Sequence, residues 1–338
     1  MKIQHNISLK PYNTFGIDSM AKHFVSINSV KELQQLLDDH SYPEKFILGG
    51  GSNMLMAKDI DTLVVHVNIK GIEKVSETAS EVIITAKAGE NWHQFVLWCL
   101  EQDYGGLENM SLIPGNVGTA PIQNIGAYGI ELKDVFQSCE AIEISSNTLK
   151  TFDREDCKFG YRNSIFKNEA KGKYIITSVT FRLTKNNHKL NTSYGAIETE
   201  LAEMGIDVPK IKDISNAVIA IRQRKLPDPA ILGNSGSFFK NPIIKKEAFA
   251  VLQQKYPDIP HYVVSNDEIK VPAGWLIEEA GFKGKRFGDA GVHKNQALVL
   301  VNHGNATGSE LWGLAQKIQQ CVLARFGIAI EAEVNVIQ

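Results

Sequence analysis

Phe46-Ile47-Leu48-Gly49-Gly50-Gly51-Ser52-Asn53 runs a short apolar strand straight into three consecutive glycines and two small polar residues. Consecutive glycines permit positive φ and leave backbone N–H groups uncovered, so such a turn can cradle an anion, for example a pyrophosphate. A plain tight turn accounts for three glycines equally well. A second stretch shifts that balance. Gly105 to Gly129 holds six glycines and one charged residue, Glu108, in 25 positions. Surface loops of that length normally carry more charge. A loop this glycine-rich is expected to lie against something, and a ligand that takes its hydrogen bonds from main chain fits. Two such stretches in one chain favour a large phosphorylated cofactor.

Outward from the first stretch, Phe24–Ile27 and Leu63–Val67 read as strands. Between them Ser29-x-x-Glu32 makes a capping box for a helix with Val30, Leu33, Leu36 and Leu37 inward. A second segment begins near Gly71. It holds a strand at Val82–Ala86 and a helix capped by Asn91, with Trp92, Phe95, Val96, Cys99 and Leu100 as a core stripe. Strands follow near Ala141–Ile144 and over Tyr174–Leu183, with Ile175, Val179, Phe181 and Leu183 sharing one face. Asp213 is expected to cap a helix with Ile214, Val218 and Ile221 inward. Pro227-Asp228-Pro229 is a sharp turn and a boundary. Beyond it come a strand at Ala297–Val301 and the capping box Thr307-x-x-Glu310, opening a helix with Leu311, Leu314, Ala315, Ile318 and Val322 inward, which Gly327 stops. The alternation Ile328, Ile330, Ala332, Val334, Val336 predicts a closing strand over 328–336. The fold class is α+β, divided 1–70, 71–226 and 227–338.

Composition removes other classes. With 36 Lys+Arg against 38 Asp+Glu the formal charge is −2, which speaks against a chain built to wrap nucleic acid or coat an anionic membrane. Cys99, Cys139, Cys157 and Cys321 have no C-x-x-C spacing and read as free thiols of a reducing compartment. The longest apolar run is six residues, Phe95–Leu100. A membrane span needs about 18. Met1–Lys10 has no signal-like apolar core, so a cytoplasmic protein is expected. There is no G-x-G-x-x-G, no phosphate-loop motif and no H-E-x-x-H, and Gly233-Asn-Ser235-Gly-Ser237 misses the final glycine of a nucleophile elbow. The nine histidines are scattered singly, and no metal site is expected.

Leu48-Gly-Gly-Gly-Ser-Asn53 is similar to the pyrophosphate loop of the flavin-binding fold shared with vanillyl-alcohol oxidase. Ile113-Pro-Gly-Asn-Val-Gly-Thr119 and Gln123-Asn-Ile-Gly-Ala-Tyr-Gly129 resemble its second FAD segment. The particular version resembles the UDP-N-acetylenolpyruvoylglucosamine reductase family of bacterial cell-wall synthesis. Asn13-Thr-Phe-Gly16, Phe159-Gly-Tyr-Arg-Asn-Ser164, Arg224-Lys-Leu-Pro-Asp-Pro229, Gly236-Ser-Phe-Phe-Lys-Asn-Pro242, Ala273-Gly-Trp-Leu-Ile277 and Glu331-Ala-Glu-Val334 carry that likeness from residue 13 to residue 334. Ser193-Tyr-Gly195 marks the type I form.

The resemblance implies a vanillyl-alcohol-oxidase-type (PCMH-type) FAD-binding domain of two α/β subunits and a C-terminal α+β substrate-binding domain. It implies non-covalent FAD, held by Gly49, Gly50, Gly51, Ser52, Asn53, Pro114, Gly115, Gly118, Thr119, Ile122, Gln123, Asn124, Gly126 and Ala127. NADPH is the implied co-substrate, sharing the substrate pocket in a ping-pong order, as the missing dinucleotide motif allows. Hydride passes through FAD to C3 of the enolpyruvyl ether of UDP-N-acetylenolpyruvoylglucosamine, and a proton added at C2 gives UDP-N-acetylmuramate.

Charge arriving at C2 spreads into the neighbouring carboxylate and needs a fixed cation. The family pattern implies Arg162 for that role, Ser237 as proton donor and Glu333 as polariser or second acid. Taken singly, Arg162 would read as a surface ion pair, Ser237 as a turn serine, and Glu333 as a solvated partner of Glu331. Lys225 and Asn241 are implied for the diphosphate, Tyr194 for a closing loop and Gln296 for the uracil. The enzyme is expected to be a monomer with no nucleic-acid or membrane partner. Two other functions fit part of the pattern. One is a flavin oxidoreductase of the same fold acting on an alcohol or sugar, although no histidine for covalent FAD lies beside either glycine stretch. The other is a non-catalytic UDP-sugar-binding protein, which has no use for Arg162, Ser237 and Glu333 together.

Overall fold

Local signals place the first elements. The Ser29 side chain accepts the Glu32 N–H at 3.1 Å, which satisfies one of the open donors at a helix start. Val30–Asp38 follows, with Leu33, Leu36 and Leu37 buried against Val25, Ile27, Leu63 and Val65. Those residues belong to a four-stranded sheet in the order Gln4–Ser8, Met20–Ile27, Ile60–Val67, Lys45–Leu48. Lys45–Leu48 runs parallel to Ile60–Val67, with Leu48 opposite His66, and delivers the chain into the glycines.

The computed structural model describes residues 1–194 and 196–338; Gly195, the last residue of the Ser193-Tyr-Gly195 motif, lies outside the described residues. The chain divides into two units. The first is Met1–Ile7, Ala21–Gly50 and Asp61–Arg224, and the second is Ser8–Met20, Gly51–Ile60 and Lys225–Gln338.

Besides the four-stranded sheet, the first unit holds an antiparallel sheet in the order Thr148–Asp153, Phe136–Glu143, Tyr174–Thr184, Glu81–Lys87, Ile72–Glu77. Its core includes the stripe Trp92, Phe95, Val96, Cys99 and Leu100 of the helix Trp92–Glu101, whose N-cap Asn91 accepts the Gln94 N–H. One expectation fails. Val179, Phe181 and Leu183 face this core, but Ile175 packs with Ile142 into the core of the four-stranded sheet. The pairing Glu140–Ser178 is followed directly by Ala141–Ile176, so Thr177 is an extra residue that turns the rest of the strand over. The helix Ile211–Lys225 also starts ahead of its expected cap. Asp213 sits in its first turn and accepts the Lys210 N–H at 2.8 Å. Ile214, Val218 and Ile221 face Ile197 and Leu201 of the helix Ile197–Glu203.

In the second unit Gly233–Ser237, Val299–Asn302, Ala290–Val292 and Arg286–Phe287 form an antiparallel sheet. The helix Gly308–Phe326 opens on the reciprocal Thr307–Glu310 capping box and ends at Gly327, with φ +68°. Phe15, Ile17 and Leu55 join its core. Sequence boundaries do not mark those early stretches, because what recruits them is tertiary pairing. Asn335–Ile337 lies parallel to Met54–Met56. That pairing also corrects the expected closing strand. Ile328, Ile330 and Val334 are buried as the alternation requires, but only Asn335–Ile337 forms a ladder of three residues.

Cys99, Cys139 and Cys157 are buried and Cys321 half-buried, all as free thiols. Among the described residues no helix is long and apolar enough to cross a membrane.

Glu108, the one charge of the second glycine stretch, is 2% exposed, and its carboxylate accepts the Gly106 N–H at 2.6 Å. Burial raises its pKa above the ordinary value of 4.5, and the backbone donors of Glu108 and Gly106 only partly offset this. A carboxyl whose folded pKa is raised loses stability as pH climbs above its unfolded value. Glu108→Gln keeps an acceptor without the charge. Urea unfolding is expected to show this variant gaining on the parent as pH rises above about 4.5. A stability difference independent of pH would refute the assignment.

Candidate active site

The three glycines serve two different needs. Gly51 alone uses the left-handed region, at φ +58°, and a Cβ there would stand 2.0 Å from the Tyr12 carbonyl. Gly49 and Gly50 are needed for close approach. A Cβ on Gly49 would meet Thr119 Cγ2 at 2.6 Å, and one on Gly50 would meet Gly115 Cα and Asn116 Oδ1, each at 2.9 Å. The structure therefore brings the two glycine stretches together. Positive φ at all three positions, the reason the run of glycines suggests, is not what they share.

Past Gly51 the chain is held by its carbonyls. Ser235 Oγ donates to the Ser52 carbonyl at 2.7 Å. Asn335 donates to the Asn53 carbonyl from its backbone N–H at 3.1 Å and from its amide at 2.9 Å.

In the second stretch the Gly115 carbonyl accepts the Trp92 N–H at 2.9 Å, and so meets an open donor of the helix Trp92–Glu101. Gly118 packs on the main chain, since a Cβ there would lie 2.4 Å from Ala88 Cβ. Thr119 Oγ1 donates to the Asn116 carbonyl at 2.8 Å. Pro114 is exposed and Gln123 half-buried. Ile122 stands out. Val117 and Ala120 of the same turn are buried, yet Ile122 is 38% exposed. An isoleucine expected by default to fill a core is instead offered to the surface, where it can cover the face of a planar ring. Asn124 is fully buried at φ +46°, and its amide bonds the Gly160 carbonyl and the Lys133 N–H at 3.1 and 3.0 Å. It shapes the loop with its side chain engaged inside the protein. Gly126–Ala127 pairs with Ile130–Glu131 in a small hairpin.

Arg162 lies in a two-residue turn. Gly160 and Asn163 exchange backbone bonds of 3.0 and 3.1 Å, and the two residues between them are Tyr161 and Arg162. Arg162 has φ +52°, a conformation usually left to glycine or asparagine. Its Nη2 donates to the Gly126 carbonyl at 2.6 Å, which attaches the guanidinium to the second glycine stretch. Tyr194 is exposed and meets Tyr128 edge-on, ring centroids 6.3 Å apart. Asn109 fastens that neighbourhood by donating to the carbonyls of Tyr128 and Asn191 at 3.0 and 2.9 Å.

The remaining candidates belong to the second unit. Asn234 pairs with Val301 and Ser237 with Val299, so Ser235 and Gly236 make a β-bulge, with Gly236 at φ +69°. Bulges re-aim the residue that follows. Here Ser237 is exposed while Phe238 and Phe239 are both buried. The Glu333 N–H donates to the Phe238 carbonyl at 2.8 Å, which sets Glu333 one residue along from Ser237 on the adjoining segment. Glu333 is half-buried, whereas Glu331 is 77% exposed and pairs with Lys240 at 3.3 Å. The two acids therefore do not share one solvated environment. Asn241 Oδ1 accepts the Ala273 N–H at 2.9 Å, and Gln296 Oε1 lies 3.3 Å from where a Gly274 Cβ would be. Asn241 and Gln296 thus meet at Ala273-Gly274. Lys225 is exposed at the end of its helix. No group of three or more His, Cys, Asp or Glu suited to a metal occurs among the described residues.

Comparison with known proteins gives the family. Residues 228–337 match the family described as UDP-N-acetylenolpyruvoylglucosamine reductase, C-terminal domain, and residues 21–151 match an FAD binding domain. The UDP-N-acetylenolpyruvoylglucosamine reductase of Flavobacterium johnsoniae is 62% identical over 337 residues, and that of Amoebophilus asiaticus 51% identical over 340, each covering 100% of both chains. A UDP-N-acetylenolpyruvylglucosamine reductase from Thermus caldophilus aligns over 100% of both chains with a TM-score of 0.69 at 22% identity. p-Cresol methylhydroxylase aligns over 96% of this chain and 84% of its own, with a TM-score of 0.50 at 10% identity. These two structural likenesses show the fold alone, that of the PCMH-type flavoenzymes. Identity along its whole length places the chain in the UDP-N-acetylenolpyruvoylglucosamine reductase family, FAD-dependent oxidoreductases that reduce the enolpyruvyl group of UDP-N-acetylenolpyruvoylglucosamine in peptidoglycan synthesis.

Proposed function

We propose that Arg162, Ser237 and Glu333 carry the reduction, and that the two glycine stretches hold the flavin. The bond from the Arg162 guanidinium to the Gly126 carbonyl supports this most directly, because it joins the one strained arginine of the motif to the second FAD segment. The residues fit the cofactor. Gly49 and Gly50 leave no room for a side chain against Gly115–Thr119, and Ile122 presents an apolar surface. The remaining residues of those segments, Gly51, Ser52, Asn53, Pro114, Gly118, Gln123, Asn124, Gly126 and Ala127, line or shape the same loops. When bound, FAD takes hydride from NADPH and delivers it to the substrate.

Charge that builds at C2 of the enolpyruvyl ether spreads into its carboxylate. Arg162 pairs with that carboxylate. Ser237 gives its hydroxyl proton to C2; being exposed, it regains one from solvent. Glu333 next to a substrate carboxylate is held protonated, since two like charges in contact cannot both persist. Lys225 and Asn241 take the diphosphate, the Tyr194 loop closes on it, and Gln296 reads the uracil. In this reading 1–70 and 71–226 act as the two halves of the flavin domain and 227–338 as the substrate domain. The enzyme works as a cytoplasmic monomer, without nucleic acid or membrane.

Three variants test these roles. Ser237→Ala is expected to lower turnover by about 10²–10⁴-fold while the protein stays yellow, and turnover equal to the parent would remove Ser237 from the mechanism. Glu333→Gln should abolish one limb of the pH–rate profile; an unchanged profile would count against a protonated Glu333. Arg162→Gly relieves a left-handed backbone worth about 1–2 kcal/mol, so it should melt no lower than the parent while turnover falls about 10²-fold or more. A variant that melts lower and turns over normally would make Arg162 structural.

A further inference from the structure

The start of the helix Trp92–Glu101 grips the second glycine stretch at several points. Trp92 Nε1 donates to the Met110 carbonyl at 3.0 Å, and the Trp92 N–H to the Gly115 carbonyl at 2.9 Å. Just ahead of the helix, the Glu90 carbonyl accepts the Val117 N–H at 2.8 Å. Between these bonds lies Leu112, at φ +60°. Left-handed backbone is unfavourable for leucine and persists only where the surroundings hold it. Here His93 does so, its Nδ1 accepting the Leu112 N–H at 3.0 Å. Leu112 leads directly through Ile113 and Pro114 to Gly115, against which Gly50 lies.

Of these four bonds, only the one to His93 runs through a group that titrates near neutral pH. Nδ1 accepts while it carries no proton, so the bond requires the neutral imidazole. The setting favours that form. His93 is the second residue of its helix, where the positive end of the helix dipole opposes a cation. It is half-buried, and Arg222 of the helix Ile211–Lys225 is the charge that bears on it. Burial first and Arg222 second hold its pKa below the ordinary 6.5. Two short turns also pack on this helix. Glu108–Met110 brings the Glu108 carboxyl, which is engaged by the Gly106 N–H, and Val117–Gln123 has no titratable side chain.

We propose that His93 is a positioning residue for the cofactor: its neutral Nδ1 latches the Leu112 turn, and a proton there loosens the segment Ile113–Thr119 that receives FAD. This rests on the assignment of that segment to the flavin made above. The latch is complete above about pH 6.5 and is lost as pH falls through the lower pKa of the folded protein.

The test is FAD affinity, read as the flavin absorbance that passes a membrane in equilibrium ultrafiltration of the full chain with FAD. The proteins are the parent, His93→Asn and His93→Leu. For the parent, affinity is expected to fall about tenfold between about pH 8 and about pH 5, the worth of one hydrogen bond. His93→Asn offers an amide oxygen to the Leu112 N–H and does not titrate. It should bind FAD within about threefold of the parent at the higher pH and lose markedly less on acidification. His93→Leu removes the acceptor and should bind about tenfold more weakly at the higher pH, with a flattened pH dependence. Parallel pH curves for the parent and His93→Asn would overturn the proposal, and this comparison stands even if the leucine variant does not fold. A folded His93→Leu that binds FAD within about twofold of the parent at the higher pH would overturn it as well. Gly50→Ala, which puts a methyl group between the glycine stretches, is measured alongside. Weakened FAD there with His93→Leu unchanged defeats the latch alone, whereas FAD held equally well by both defeats the assignment of the glycine stretches.

Discussion

Everything at the flavin end of the chain depends on how near the two glycine stretches come to each other. Gly49 and Gly50 lie so close to Gly115, Asn116 and Thr119 that even one methyl group between them would overlap an atom already there. Glycine is the only residue that permits that separation. The position of the second stretch is then inherited by much else. Gly115 takes a free donor of the helix Trp92–Glu101, Trp92 Nε1 donates to the Met110 carbonyl at 3.0 Å, and the Gly126 carbonyl receives Arg162. The close approach of Gly49 and Gly50 to Gly115, Asn116 and Thr119 sets the geometry from which the rest follows.

Two of the proposed catalytic residues sit where local backbone rules are broken. Arg162 occupies a left-handed turn position, and Ser237 follows a bulge formed around a left-handed glycine. Neither conformation helps the chain to fold. Left-handed backbone at a non-glycine residue costs energy and persists only where its surroundings over-determine it. Around Arg162 these include the paired bonds of Gly160 with Asn163 and the Lys167 bond to the Arg162 carbonyl at 3.2 Å. Such places are where a fold gives up stability for function.

Charged residues show how far neighbours in sequence can part in space. Glu331 and Glu333 share a parity, and Arg222, Arg224 and Lys225 share a helix end. Yet Glu331 is solvated beside Lys240 while Glu333 is drawn inward beside the Phe238 backbone. Arg224 is consumed by Glu200 and Glu203, while Arg222 is half-buried with its Nε lacking a hydrogen-bond partner. Parity along a strand states only which way a side chain starts out. What it meets there is supplied by segments far away in the chain.

The amino-acid sequence by itself determined the features that depend on residues close together in the chain. Ser29 and Thr307 cap their helices, Asn91 opens the third, Gly327 ends the last, and the apolar stripe from Trp92 to Leu100 goes inward. The second glycine stretch was legible because its composition is improbable for a surface loop, whereas the motifs around Arg162 and Ser237 were legible only through their resemblance to a family pattern. Tertiary structure alone decided the rest. The extra residue Thr177 sends Ile175 to a different core, a slip of one position that no period-two pattern can register. The closing strand shrinks to Asn335–Ile337 because its ladder partner, Met54–Met56, lies nearly the whole chain away. The different reasons for Gly49, Gly50 and Gly51, the open placement of Ile122 and the unpartnered Arg222 Nε likewise depend on what long-range contacts bring alongside. Short-range propensity acts over a few residues, whereas packing density acts between whatever the fold makes adjacent.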